Sequence, residues 1–310
     1  MISHQAFIIK NKFLLLLYYN MSGNLFKQKC EKIQSNLAVY VQESIIGELK
    51  ETYPDIEIIK IGSVGKRKDD DFNGDIDIAI KCKDIQELEK IILNTFYYLD
   101  SVKIESLYIV SIAYPYQYNG ETKFVQCDFM NVWDKDYTEF RYYCPNYKND
   151  ESNYKVGQKI MFANMIINHT LDRHKGLPKG QYGKFDFRPT ALYRYVYDIK
   201  KSLYKEEYVT ISVDDIVNMC FLDGNKNHFN SVETIWEAIH SDIFKYPDEV
   251  KSIEKNFFVN CWRKGWVNIV PENFKLQYWS NDEIWQFMNK QDKINKINHS
   301  IAKFVDMENK

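Results

Sequence analysis

The sequence predicts an α+β fold: a mixed β-sheet with flanking helices in the N-terminal half, followed by an all-helical C-terminal domain. Three observations predict it. Short runs that alternate apolar with polar residues, such as Asp75-Ile76-Asp77-Ile78, stand between stretches of helical periodicity up to about residue 150. Beyond that point apolar residues recur only at helical spacing. The chain of 310 residues, 45% hydrophobic, is long enough for two domains of ordinary size.

Residues 1–23 contain an apolar run, Phe13 to Tyr19, that is too short to span a bilayer and has no small-residue cleavage site after it. They are expected to be an extension outside the fold, with Met21 as an alternative start. Residues 24–150 form the first expected domain. From Leu25 to Leu49 the positions Phe26, Cys30, Ile33, Leu37, Val41, Ile45 and Leu49 mark one long amphipathic helix, and Pro54 prevents its continuation. Ile56 to Ile61 and Asp75 to Lys81 read as strands, and Asp84 to Leu99 as a helix with Asp84 as its N-cap. Leu107 to Tyr114 and Lys123 to Val132 read as two more strands, with Asn119-Gly120 as the hairpin signal between them.

Residues 151–310 are expected to be a helical substrate-binding domain. Its helices are Tyr154 to Leu171, Pro189 to Leu203, Val213 to Leu222 after a Ser212 cap, Val232 to His240, Pro247 to Trp262 and Asn281 to Val305. The Gly- and Pro-rich stretch from His174 to Pro189 reads as a loop.

Composition removes several function classes. Lys and Arg (41) nearly balance Asp and Glu (43), for a formal charge of −2, so no global basic field marks a nonspecific coater of nucleic acid. The six cysteines are scattered, with neither CxxC nor zinc-like Cys/His spacing, in a chain too long to need disulfide staples. A reducing, cytoplasmic setting and no membrane partner are the expectation. Gly65-Lys66 is followed by Arg67, so there is no P-loop, and neither a GxSxG elbow nor an HExxH motif occurs. His169 and His174 are five apart, poor spacing for a shared metal on one helical face.

What remains is the stretch from Ile61 to Ile80, "IGSVGKRKDDDFNGDIDIAI". Asp75 and Asp77, at i and i+2, project to one side of a strand. On the run from Lys123 to Val132, Gln126, Asp128 and Met130 share a face while Val125, Cys127 and Phe129 share the other. An aspartate in the middle of an otherwise apolar strand is costly unless paired or bound to metal. A solvated strand face would account for Asp75 and Asp77 alone, and an edge strand for Asp128 alone. With Gly62-Ser63 upstream, the set is read as one site for transfer from a triphosphate. Such chemistry needs carboxylates to hold Mg²⁺ against the phosphates and donors to hold the phosphates, and a pair of ions about 3.5–4 Å apart needs a shared ligand. Gly62-Ser63 lets a backbone approach a phosphate, while Lys66, Arg67 and Lys68 offer charge neutralisation or a plain solvated basic loop. Asp69, Asp70 and Asp71 precede no apolar strand and read as loop charge.

A strand, Gly62-Ser63, eleven residues, Asp75-Ile76-Asp77 on the next strand, then Asp128 on a later one resembles the polymerase-β-type nucleotidyltransferase superfamily over about Leu25 to Val132. A helical lobe after that domain is similar to its template-independent members. The resemblance implies Mg²⁺-dependent transfer of a nucleoside monophosphate from an NTP, such as ATP, to a hydroxyl, with release of pyrophosphate. It further implies that Ser63, with Gly62, holds the triphosphate, and that Asp75 and Asp77 bind two Mg²⁺ ions, for which Mn²⁺ can substitute. Asp128 would bind the catalytic ion and help deprotonate the acceptor. The charged eleven-residue insert departs from the pattern and leaves Lys66 and Arg67 without a fixed place in the comparison.

The expected acceptor is an RNA 3′ end. Tyr142, Tyr143, Tyr147 and Tyr154, beside Lys148, Lys155 and Lys159, could stack bases and hold phosphates. Three alternatives stand beside it: a synthase of a linear or cyclic oligonucleotide signal, a small-molecule nucleotidyltransferase, and an inactive binding module of the same fold.

Overall fold

The computed structural model describes residues 25–263 apart from 27, 144, 146–147, 149–155, 173–174, 200 and 202. The chain divides into two compact units, Met1–Lys245 and Tyr246–Lys310.

In the first unit, helix α1 (Ser35–Thr52) buries Ala38, Val41, Ile45, Ile46 and Leu49, the i, i+3/i+4 stripe of an amphipathic helix. It begins ten residues later than the periodicity suggested. Phe26 and Ile33 are buried, but the chain between them is a turn followed by strand β1 (Ile33–Gln34), which pairs antiparallel with β3 (Phe72–Asn73). The Ser35 backbone N–H is bound by the Asp71 carbonyl at 2.9 Å, which fixes where the helix starts.

The main sheet has five strands in the order β2-β4-β7-β6-β5. These are β2 (Ile58–Lys60), β4 (Ile76–Lys81), β5 (Val102–Ile104), β6 (Ile109–Tyr118) and β7 (Glu121–Val132). Only β4 and β7 run parallel, through a crossover that holds helix α2 (Ile85–Thr95), so the sheet is mixed. Asp84 caps α2 as expected, accepting from the Glu87 N–H at 2.9 Å. The β6–β7 hairpin turns at Asn119 and Gly120, both with positive φ (53° and 81°), the conformation a tight Asn-Gly hairpin turn requires.

One sheet face carries Ile76, Ile78, Ile80, Val110, Ile112, Cys127 and Phe129, packed beneath α1 and α2. The opposite face carries Ala79 and Val132, with Ile59 and Ile61 on the β2 side. Tyr142 covers it, at the end of helix α3 (Lys135–Tyr142), together with Val156 and Ile160 from helix α4 (Val156–Thr170).

The stretch after α4 differs from the all-helical expectation. Gln181–Phe187 (β8), Leu192–Asp198 (β9) and Leu203–Thr210 (β10) form a three-stranded antiparallel meander, where the sequence suggested a loop and a helix. Tyr193, Tyr195 and Tyr197 alternate with Leu192, Arg194 and Val196, and tyrosine and valine fit a pleated, half-buried surface. Phe185, Phe187, Leu192 and Val196 are buried on one face. Register places Tyr182, Tyr197 and Tyr204 in one cross-strand row of the other face, with Tyr195, Tyr193 and Tyr208 in the rows beside it. Tyr182, Tyr204 and Tyr208 are 54%, 64% and 56% exposed. Along the outer edge of β8, Asn168 and Asn164 of α4 accept from the Phe185 and Phe187 N–H groups, each at 2.9 Å.

Helices α5 (Val213–Cys220) and α6 (Val232–Ile239) follow where expected, capped by Ser212 and Ser231. In the second unit the described part is a 3₁₀ turn, Pro247–Glu249, and helix α7 (Val250–Arg263). The expected helix from Asn281 to Val305 lies outside the described residues. No described helix is long and apolar enough to cross a membrane, and Cys30, Cys82, Cys127, Cys220 and Cys261 are free thiols.

Candidate active site

Strands β4 and β7 lie side by side in parallel with Asp77 directly opposite Asp128. Residues in register on neighbouring strands point to the same face, so alternation along each strand brings the two carboxylates together on the face opposite the α1–α2 core. Asp75 immediately precedes β4 and bears electrostatically on both. Burial, followed by the charges of Asp75, Asp128 and Glu105, holds the Asp77 carboxyl well above the usual range.

Asp128 is 7% exposed. Burial pushes its carboxyl up to about 7, and the charges of Asp75 and Glu105 add to this. Hydrogen bonds to the Ser111 hydroxyl and the Gln126 amide oppose the rise. Gln126 donates through Nε2 to both Asp128 oxygens, at 2.9 and 3.2 Å, and its own Oε1 accepts from the Leu25 N–H at 2.9 Å.

Gly62 has φ 76°, and a Cβ built there would stand 2.3 Å from Asp77 Oδ2. The glycine is therefore required twice, for a left-handed backbone and for contact with a site carboxylate. Ser63 is half-buried and accepts a hydrogen bond from Asn73 Nδ2 at 2.9 Å. The chain then turns, with the Lys66 N–H bound to the Ser63 carbonyl at 3.1 Å. Lys66 is exposed and Arg67 half-buried. Asp69, Asp70 and Asp71 are exposed loop residues, and Asp69 pairs with Lys148 at 2.8 Å.

Sequence reasoning missed two groups. Glu105, just after β5, adds a fourth carboxyl to the electrostatic neighbourhood of Asp75, Asp77 and Asp128, and its Oε2 accepts from Ser111 at 3.2 Å. Ser111, fully buried on β6, sits in register with Asp128. A serine within the apolar run Ile109-Val110-Ser111-Ile112-Ala113 was the available signal for it; Glu105 had none.

Only part of the tyrosine and lysine cluster after Asp128 lies among the described residues. Tyr142 is buried against the sheet, and the buried Lys159 donates to the Phe140 and Tyr143 carbonyls at 2.9 and 3.1 Å. Tyr143 is exposed, whereas Tyr147, Tyr154 and Lys155 lie outside the described residues. A second group of exposed tyrosines, Tyr182, Tyr204 and Tyr208, lies on one face of the β8–β10 sheet, where Tyr193 is buried. That face is joined to the carboxylates through the β5–β6 connection: Arg188 stacks 4.8 Å from the Tyr195 ring and 5.7 Å from that of Tyr108, three residues from Glu105.

Among the described residues no three or more His, Cys, Asp or Glu side chains are gathered closely enough to hold a metal ion. The carboxylates of Asp77 and Asp128 share a sheet face, with Asp75 and Glu105 in their electrostatic neighbourhood. Their chemistry nonetheless fits such an ion: hard oxygen donors with negative charge in excess suit Mg²⁺ or Mn²⁺.

The raised Asp128 carboxyl has a consequence for stability. Its folded pKa lies above the unfolded value near 4, so the stability it contributes is full below about pH 4 and lost as pH rises through about 7. Without divalent cations, D128N is expected to be more stable than the parent at pH 8, by up to about 4 kcal/mol, and no more stable at pH 4. Thermal melts in EDTA at the two pH values measure this. A D128N protein that melts lower at pH 8 would give Asp128 a structural role instead.

No family model matches the chain, and no curated protein matches it. Among solved structures, the fold is similar to Leishmania infantum polymerase beta in a ternary P/T complex and in a ternary gap complex. Each is 14% identical with a TM-score of 0.35; the match covers 53% of this chain, and 58% and 51% of those chains respectively. The likeness thus spans little more than half the length of the polymerase chains.

Proposed function

We propose that the protein is a Mg²⁺-dependent nucleotidyltransferase that moves a nucleoside monophosphate from an NTP to a hydroxyl acceptor and releases pyrophosphate. The observation that carries this reading is the facing of Asp77 and Asp128 on adjacent parallel strands, with Gly62 pressed against Asp77. Asp75, Asp77 and Asp128 would hold Mg²⁺, which when bound supplies positive charge against the developing charge on the reacting oxygens. The remaining work falls to the chain. The Asp128 carboxylate takes the proton of the acceptor hydroxyl as its oxygen attacks the α-phosphorus, while the bond to the bridging oxygen breaks and pyrophosphate leaves. Gln126 holds that carboxylate in place through its two hydrogen bonds. Gly62 admits the phosphate chain to the backbone, Ser63 donates to it, and Lys66 and Arg67 offset its charge. Residues 24–150 form the catalytic part in this reading, and the later residues of the first unit bind the acceptor.

We further propose that the acceptor is single-stranded RNA, with bases stacked on the outward tyrosines of β8, β9 and β10. Aromatic faces accept any base, and Tyr182, Tyr197 and Tyr204 form a row across three strands. Replacing Tyr182 and Tyr204 together with Ala is expected to weaken RNA binding by about 1–3 kcal/mol per stacked base while NTP binding is kept, as read by fluorescence anisotropy and calorimetry. RNA affinity unchanged in that variant would remove the tyrosine face from the proposal.

The function as a whole is tested by incubating the protein with each labelled NTP, Mg²⁺ and total RNA, and resolving pyrophosphate, cyclic or linear dinucleotides and extended RNA together. Extended RNA supports the reading. A dinucleotide formed without RNA would replace the acceptor with a second nucleotide, and no pyrophosphate under any condition would remove the transferase reading.

A further inference from the structure

Resting on the nucleotidyltransferase reading, we propose that Asn73 is a positioning residue that aims the Ser63 hydroxyl proton at the triphosphate, and that the charged insert between Ser63 and Asp75 exists in part to deliver it. The insert does not remain loop. It returns as β3, which pairs with β1 in the register Ile33↔Asn73 and Gln34↔Phe72. Its last residue, Asn73, is fully buried between two serines from different elements. Ser35, the first residue of α1, donates through Oγ to Asn73 Oδ1 at 2.7 Å, and Asn73 Nδ2 donates to Ser63 Oγ at 2.9 Å.

The chemistry of this relay has a direction. A hydroxyl has one proton and two acceptor sites, and an amide nitrogen can only donate. With one lone pair occupied by the Asn73 N–H, the Ser63 proton has no acceptor on the amide nitrogen and is left to donate elsewhere. Ser35 holds the amide in this orientation by supplying a proton to Oδ1, and Ser35 is itself fixed through its backbone N–H to the Asp71 carbonyl. A serine that would otherwise spin among three rotamers, or turn its proton inward, thus faces an incoming anion as a donor. Ordering this group before the ligand arrives lowers the cost of binding.

The test is a double-mutant cycle on the full chain, with the affinity of each of the four NTPs in the presence of Mg²⁺ measured by calorimetry. N73D keeps the size of the side chain but replaces the donor with an acceptor, so the Ser63 proton turns inward. N73A removes the guide and leaves the hydroxyl free; it also covers the case in which a buried carboxylate prevents folding. Thermal melts accompany each variant. We expect N73D, like S63A, to weaken NTP binding by about 10- to 100-fold, as loss of a hydrogen bond to a charged group does. N73A should weaken binding by less. In an S63A background both Asn73 substitutions should have no further effect, because the group they act through is gone. A merely structural role, or simple repulsion by the new charge, would weaken binding equally in both backgrounds and would overturn the inference. Unchanged NTP affinity in N73D and N73A would overturn it while leaving the transferase reading intact. A parent protein that binds no NTP overturns both.

Discussion

Replacing Asp77 with Asn is expected to lower nucleotidyl transfer by about 10³-fold or more while leaving the cation-free protein at least as stable as the parent. The first effect follows from the place of Asp77 in the proposed site, in register with Asp128 and within the field of Asp75 and Glu105. Metal-borne charge stabilisation contributes several kcal/mol to such transition states, and each 1.36 kcal/mol is a factor of ten in rate. The second follows from the direction of the Asp77 pKa. A carboxyl held above its unfolded value contributes stability at acid pH that is lost as pH rises, so above the unfolded value and without divalent cations the ionisable group is a cost, as bound proton or as buried charge, that the amide removes. The two readouts must separate: single-turnover transfer should collapse while the melting temperature in EDTA is kept or rises. A D77N protein that melts well below the parent in EDTA would make Asp77 a structural residue.

Gly62→Ala should be nearly as damaging, through geometry. The added Cβ meets Asp77 Oδ2 at 2.3 Å and Asp77 Cβ at 2.9 Å, distances at which something must move, and a positive φ costs a residue with a Cβ about 1–2 kcal/mol. The fold can accommodate the methyl group by shifting either the loop that carries Ser63 or the Asp77 side chain. Either shift separates the two halves of the site, and a misplacement of about 1 Å costs on the order of 100-fold in rate. We expect G62A to retain the fold, with a modestly lowered melting temperature, and to lose at least about 100-fold in transfer. Parental rates in G62A would mean that the Gly62–Asp77 contact is incidental.

The common face of Asp77 and Asp128 was legible in the sequence because a strand has a period of two and both aspartates interrupt apolar alternation. Their direct register was not, since it depends on which of several strands are neighbours. Glu105 was illegible for the same reason: it acquires its neighbourhood from the β5–β6 pairing and lies in a loop with no pattern of its own. The tyrosine-faced sheet was misread because both of its faces carry large rings or aliphatic groups. Leu192, Tyr193, Val196 and Tyr197 stand at spacings of one, three and four, which imitate a helical stripe when tyrosine is counted as apolar. On β8, Gly176, Pro178 and Gly180 just upstream, with Pro189 just beyond, hid a seven-residue strand among turn signals. The start of α1 was misplaced because Phe26, Cys30 and Ile33 share the helix period, while Ile33 in fact belongs to a two-residue strand whose partner lies in the insert. Local pattern carries no information about such a partner.

The parallel contact between β4 and β7 also sets an order of events during folding. Asp77 and Asp128 are separated by a crossover that contains a helix and a hairpin, and the Leu25–Gln126 bond beside them closes a span of 101 residues. Contacts so distant along the chain form after local ones, because the entropy of closing the intervening loop must be met before they return anything. The α2 helix and the β6–β7 hairpin can form while the aspartates are still far apart and fully hydrated. Their mutual repulsion therefore enters late, when β4 docks beside β7. If the proposed site binds Mg²⁺, that ion should act chiefly on the last step of assembly, slowing unfolding of the finished sheet more than it speeds collapse of the chain, as stopped-flow refolding and unfolding with and without EDTA would measure.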